Sequence, residues 1–181
     1  MGALDANAAT LTLTNAQIQL GQPPWVATNN VGGTTTQVHL VNSNQFTSFF
    51  DGLYSAPPAA IATWTLDVNI VAGAADTFAL EFLNSNANVW DFQLEIVTTA
   101  AVTVTSAFVP LAPNVSSVLS VVVPAGATID LVRVRVRGSI PLGPDNDDRT
   151  ANFNVYSAPE PGSLLLLGLG LTSLALLRRR K

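Results

Sequence analysis

Between Thr10 and Tyr156 apolar side chains recur at every second position, and no helical stripe of comparable length interrupts them. In an extended chain successive side chains point to opposite faces, so this rhythm commits the body to strands that bury one face. The clearest runs are Trp64, Leu66, Val68 and Ile70; Phe78, Leu80 and Phe82; and Trp90, Phe92, Leu94 and Ile96. Thr128 to Arg137 repeats the pattern, with Val132, Val134 and Val136 inward and Arg133, Arg135 and Arg137 outward. Shorter runs occupy Thr10 to Thr14, Thr34 to Val41, Ala101 to Thr105, Ser117 to Val123 and Ala151 to Tyr156. After Asn15 the apolar parity shifts by one, to Ala16, Ile18 and Leu20, which predicts a bulge or a change of sheet.

Proline and glycine separate these runs at Gly21 to Pro24, Pro110, Pro113 and Pro124-Ala125-Gly126. The Asn-rich connection Asn84 to Asn88 predicts a hairpin loop between its flanking strands. Asn42 to Ala60, with Phe46, Phe49, Phe50, Tyr54 and Pro57-Pro58, is the least regular stretch: a crossover loop, a short helical turn or an aromatic binding surface. About nine antiparallel strands imply an all-β fold, a two-sheet sandwich of jelly-roll or immunoglobulin-like type. The expected organisation is residues 1–9 as a leader remnant or disordered stretch, residues 10–157 as the sandwich, and residues 158–181 as a separate tail containing a hydrophobic helix.

Charge narrows the partners. Four of the eight basic residues sit in the tail, so the body sets Arg133, Arg135, Arg137 and Arg149 against eleven acidic residues, a net charge of −7. Nucleic acid is excluded as a partner, because binding it relies on many cations displacing phosphate counterions. The body has no lysine, and its polar surface is left to Asn, Gln, Thr and Ser, as in extracellular β-proteins. The chain has no cysteine, which rules out disulfide staples, thiol chemistry and cysteine metal sites.

The tail reads Pro159-Glu160-Pro161-Gly162, then an uncharged, leucine-dominated segment from Leu164 to Leu177, then Arg178-Arg179-Arg180-Lys181. As a helix, Ser163 to Leu177 spans about 22 Å at about 1.5 Å per residue, against a hydrocarbon core of about 30 Å. Arginine snorkelling and local thinning can close that gap. The terminal cations belong on the cytoplasmic side, which places everything before Pro159 across the membrane. The segment is a C-terminal anchor or a sorting signal.

The order Pro-Glu-Pro, apolar segment and terminal arginine cluster resembles the PEP-CTERM sorting domain. That resemblance covers about 23 of the 181 residues and implies recognition by an exosortase, a membrane-embedded, transpeptidase-like enzyme of Gram-negative bacteria whose genes accompany exopolysaccharide biosynthesis. It further implies that Pro159, Glu160, Pro161 and Gly162 form the sorting motif, that Leu164 to Leu177 crosses the inner membrane before processing, and that Arg178, Arg179, Arg180 and Lys181 retain the tail on the cytoplasmic side. A substrate of that route begins with a signal peptide, whereas Met1 to Ala9 has neither a cationic nor an apolar region, although Ala6-Asn7-Ala8 resembles the end of a cleavage site. The expectation is that Met1 lies downstream of the true start or that the export signal has been removed from this chain; an in-frame stop just before that codon would count against it.

Within the body, Arg133, Arg135 and Arg137 repeat about every 7 Å along one strand face. Such a row suits the carboxylates of an acidic polysaccharide; alternatively it is a solvated face pairing across strands with Glu81, Glu95 or Asp91. Asp145, Asp147 and Asp148 offer hard oxygen ligands for Ca²⁺, although Thr150 and Tyr156 stand where an EF-hand loop needs Gly and Glu, and an acidic hairpin tip accounts for them equally. No other cofactor is implied. His39, the only histidine, excludes sites built on several imidazoles, and no nucleophile-elbow motif accompanies it. Asp67, Glu81, Asp91 and Glu95 are the carboxylates available for glycoside hydrolysis, and nothing in their spacing fixes a catalytic pair. Trp64 and Trp90 follow the inward parity, while Trp25, beside Pro23-Pro24, is the candidate exposed platform for a sugar ring.

Taken together these features predict an exported, non-enzymatic β-sandwich delivered to the cell surface or extracellular matrix and associated with exopolysaccharide or biofilm. A secreted carbohydrate-binding module or polysaccharide-acting enzyme, and a self-assembling surface fibre subunit, are the alternatives.

Overall fold

The computed structural model describes residues 9–19, 25–29, 39–40, 44–50, 61–73, 76–138 and 149–158. They form β1 (Thr10–Leu11), α1 (Asn15–Ile18), β2 (Val26–Asn29), β3 (His39–Leu40), β4 (Gln45–Phe50), β5 (Ile61–Val71), β6 (Thr77–Asn84), β7 (Trp90–Thr98), β8 (Thr103–Thr105), β9 (Val109–Leu111), β10 (Ser116–Val122), β11 (Thr128–Gly138) and β12 (Arg149–Ser157). Twelve strand segments replace the expected nine because several short ones serve as edge pieces.

The strands make two sheets. Sheet A runs β10-β6-β12-β4-β3, with β1 beside β6 beyond the end of β12; sheet B runs β2-β5-β11-β7, with β8 and β9 end to end along the far edge of β7. From β4 to β7 every connection changes sheet, and the same holds from β9 to β12. The resulting orders, β4-β12-β6-β10 facing β5-β11-β7-β8/β9, interleave as in a jelly roll, which decides between the two expected sandwich types. All pairs are antiparallel except β1 with β6, which is parallel.

The alternation works as expected in the long strands. Ala62, Trp64 and Leu66 on β5, Phe92, Leu94 and Ile96 on β7, and Val132, Val134 and Val136 on β11 point from sheet B into the core. From sheet A, Phe78, Leu80, Phe82, Phe153 and Val155 meet them. At the centre, Phe46 stacks on Phe153 at 5.3 Å, and Trp64 meets Phe153 edge-on at 5.1 Å. The stretch that looked irregular thus supplies a full strand, β4, whose Phe46 is an interior keystone between Trp25 and Trp64.

Three expectations need correction. The parity shift after Asn15 marks no bulge within a strand: it falls on the four-residue helix α1, which stands between β1 of sheet A and β2 of sheet B. Its start is fixed by a capping box: Thr14 Oγ1 accepts from the Gln17 N–H at 3.2 Å, and Gln17 Oε1 accepts from the Thr14 N–H at 2.9 Å. Ile18 is carried into the core by that turn. Secondly, Asn84 to Asn88 does not close a hairpin, because β6 and β7 lie in different sheets; it bridges them. Its asparagines replace ladder bonds: Asn86 Oδ1 accepts from the Asn152 N–H at 2.8 Å while Asn86 Nδ2 donates to Asn152 O at 2.7 Å, a side-chain rung at the margin of β12.

The third correction is Trp25. It is 1% exposed and packs edge-on against Phe46 at 5.2 Å, so it is a core residue and not a sugar platform. The prolines before it suggested an exposed loop, but hydrophobic burial of an indole outweighs that local signal.

The C-terminal end of the body is tied down. Ser157 Oγ donates to Leu13 O at 2.5 Å, and the Ala158 N–H donates to Thr12 Oγ1 at 2.9 Å, so the segment between β1 and α1 grips the end of β12. Asp76 fastens the start of β6 beside β1: Oδ1 accepts from the Ala9 N–H at 2.9 Å and Oδ2 from the Gly73 N–H at 2.6 Å.

Candidate functional site

The candidate residues fall in two places: the outer face of sheet B and the junction with the tail. On the outer face, β11 lies between β5 and β7, which puts Arg133 opposite Glu95, Arg135 opposite Gln93 and Arg137 opposite Asp91. Arg133 Nη1 donates to Glu95 Oε1 at 2.6 Å, and Arg135 Nη1 donates to Gln93 Oε1 at 2.6 Å and to Glu95 Oε2 at 3.1 Å. Arg137 Nε donates to Asp91 Oδ2 at 3.0 Å. Each acid is drawn beneath the guanidinium that it serves: the Glu95 side chain is only 8% exposed, while those of Arg133 and Arg135 are 33% and 25% exposed.

The remaining edge of the face is built by a break between β8 and β9. Ser106 stays bonded to β7, its N–H donating to Leu94 O and its Oγ accepting from the Leu94 N–H, while Gln93 Nε2 holds Ser106 O at 2.8 Å. The chain then carries Phe108 over the arginines, with its ring centroid 3.9 Å from Arg137 Cζ and 5.9 Å from Arg135 Cζ. Sequence reasoning missed Phe108, Gln93 and Ser106. Phe108 lies outside any alternating run, and only the break in pairing brings it to the face. Thr63 and Thr65 border the arginines on the β5 side.

The face therefore presents three guanidiniums whose charge is largely offset by two buried acids, flanked by one aromatic ring and by hydroxyls. Among the described residues the guanidiniums keep N–H groups beyond those bonded to Glu95, Gln93 and Asp91, and the arginine–acid cluster carries a net charge of +1, with the exposed Asp67 further along the same face of β5. The four carboxylates considered for hydrolysis are not brought together: Asp91 and Glu95 are engaged with arginine, Asp67 is exposed further along β5, and Glu81 belongs to sheet A. Among the described residues no group of three metal-ligating side chains converges. Asp145, Asp147 and Asp148 lie outside the described residues, and of His39 only the backbone, paired with Thr47, is described.

At the junction, β12 ends at Ser157 and Ala158 is the last described residue. Pro159, Glu160, Pro161, Gly162 and the basic cluster Arg178 to Lys181 lie beyond it, outside the described residues. No helix among the described residues is long and apolar enough to cross a membrane. Residues 157–181 match the family model described as the PEP-CTERM protein-sorting motif. The tail is a PEP-CTERM sorting motif. Proteins bearing a PEP-CTERM motif are exosortase substrates, so the tail implies export and a membrane-anchored C-terminus before processing.

No curated protein matches the chain. Among solved structures it is similar to the enzymatically active domain of tailspike protein 4 from bacteriophage CBA120, at 19% identity and a TM-score of 0.48 over 81% of this chain and 21% of that one. It is also similar to an agarase, AgWH50C, at 8% identity and a TM-score of 0.48 over 81% of this chain and 26% of that one. A family 32 carbohydrate-binding module from C. perfringens NanJ, solved in complex with galactose, is similar at 8% identity and a TM-score of 0.42, over 77% of this chain and 97% of that one. The chain thus spans about a fifth and a quarter of the lengths of the first two.

Proposed function

We propose that this is an exported, non-enzymatic jelly-roll protein, processed at its PEP-CTERM tail by an exosortase-type membrane enzyme and acting at the cell surface or in the extracellular matrix with exopolysaccharide. The observation that carries the reading is the sorting motif over residues 157–181. The junction supports it: β12 is bonded to the body through Ser157, and Ala158, the residue before Pro159, is held by Thr12. Cutting beyond that point spares each of these bonds.

The non-enzymatic reading draws on the outer face, where Asp91 and Glu95 serve as ion-pair partners for arginine. The same face is the surface proposed for polysaccharide, because its exposed guanidinium N–H groups and the ring of Phe108 suit hydroxyl- and carboxylate-bearing chains.

Replacing Pro159-Glu160-Pro161 with three alanines tests the sorting step. The full-length variant is expected to accumulate in the membrane fraction of cells that release the processed wild-type body. Release at the wild-type rate would refute it.

A further inference from the structure

Sheets of this kind expose edges that invite pairing, and most edges here are blunted. Among the described residues β1 and β3 have two residues each and β2 has four; the β8/β9 edge is broken at Ser106 to Phe108 and carries Pro110. The edge strand β10 is different. Ser116 to Val122 is seven consecutive residues without a charge, a proline or an irregularity in its register with β6.

The phase of its hydrogen bonds follows from the Val123 N–H, which donates to Asp76 O at 2.8 Å. Odd-numbered residues therefore turn their N–H and C=O toward β6, while Ser116, Val118, Ser120 and Val122 turn theirs to the free side, where no strand among the described residues meets them. Val118 and Val122 are 49% and 64% exposed on the outer surface of the same strand.

We infer that β10 is a self-pairing seam, at which a second copy of this chain adds its own β10 in antiparallel register across a two-fold axis at Leu119. That register sets Ser116 opposite Val122 and Val118 opposite Ser120. Every outward N–H and C=O then finds a partner, for about eight inter-copy hydrogen bonds. Shifting the register by two residues leaves an outer pair unmatched. Across the seam Val118 and Val122 of one copy lie diagonal to Val118 of the other, within reach of contact, so four exposed valines cover one another.

The strand's lack of charge makes a second copy the fitting occupant, since no like charges oppose under the two-fold. The nearest acid, Glu81, sits opposite Val118 one strand further in. Its symmetry mate would be about 14 Å away across three strand spacings, beyond the screening length of about 8 Å at physiological salt. The two copies would join their A sheets into one continuous sheet, and the pairing closes as a dimer because the seam is used up on both sides.

The experiment is sedimentation of the full chain in detergent, comparing wild type, Val118→Lys and, as a control on the opposite sheet, Val26→Lys. Wild type and Val26→Lys are expected to sediment as dimers, and Val118→Lys as a monomer with an unchanged melting temperature. A monomeric wild type overturns the inference, as does a Val118→Lys chain that still dimerises, since association through the tail would survive that change. A monomeric wild type with a Val118→Lys variant of lowered melting temperature would mean that another segment of the same chain covers the edge. Register has its own readout in this cysteine-free chain. Mixed Val118→Cys and Ser120→Cys chains should cross-link more than either variant alone, and equal cross-linking would overturn the two-fold at Leu119.

Discussion

Asn84→Asp exchanges a single NH₂ group for oxygen, and the structure makes it a severe change. Asn84 is fully buried and uses its whole hydrogen-bonding capacity. Nδ2 donates to Asn88 O at 2.8 Å and to Leu111 O at 2.7 Å, while Oδ1 accepts from the Asn86 N–H and from Asn86 Nδ2, both at 3.0 Å. In the aspartate both donors vanish and a carboxylate oxygen faces two carbonyl oxygens. Two lost bonds at about 1 kcal/mol each, together with the burial of an ill-matched charge, give about 4 kcal/mol. Alanine keeps the carbonyls unpaired without adding charge and should cost about 3 kcal/mol. For a body of this size 4 kcal/mol is about 8–16 °C in melting temperature. The assay is urea unfolding at pH 7, with the denaturant slope unchanged. Burial among carbonyls raises the pKa of the new carboxyl above its unfolded value, and protonation restores one donor, so the deficit of Asn84→Asp should shrink as the pH falls from 7 towards about 4 whereas that of Asn84→Ala should not. An aspartate variant within about 1 kcal/mol of wild type at pH 7 would refute the reasoning.

Trp25→Ala should lower stability by about 3–5 kcal/mol, because the indole fills the core beside Phe46; equilibrium unfolding checks this, and a loss of sugar binding at unchanged stability would contradict the placement. Changing Arg133, Arg135 and Arg137 together to Gln should abolish retention on an immobilised anionic polysaccharide, whereas Glu95→Gln, which removes a counter-charge from two arginines, should lengthen it; unchanged retention in the triple variant removes this face as a glycan surface.

How much of this was readable beforehand depended on whether a residue's fate is decided by its neighbours in the chain or across the sheet. The inward parity of Trp64, Phe92 and Val134 is a local fact, and the core follows it. Whether β6 and β7 pair with each other is not local. An Asn-rich connection serves a hairpin or a bridge between sheets equally well, and only the reach of Asn86 to Asn152, 66 residues away, distinguishes them. Phe46 and Trp25 were obscured for the same reason, since each is buried by strands remote in sequence. At the outer face, the sequence offered the arginine spacing and the acids Glu95 and Asp91 as possible partners. The break that aims Phe108 at Arg137 depends on the pairing of Ser106 with Leu94 and carries no pattern of its own.

The position of β12 has a consequence for the order in which the protein is completed. It is the last strand in the chain, yet it lies inside sheet A, bonded to β4 on one side and β6 on the other. Until Arg149 to Ser157 arrive, β4 and β6 have a gap between them and Phe46 lacks the ring of Phe153. A chain threaded across a membrane from its N-terminus therefore remains without its central closure until the residues just before Pro159 have passed. The membrane-anchored stage that the PEP-CTERM tail implies then begins where the body can first shut.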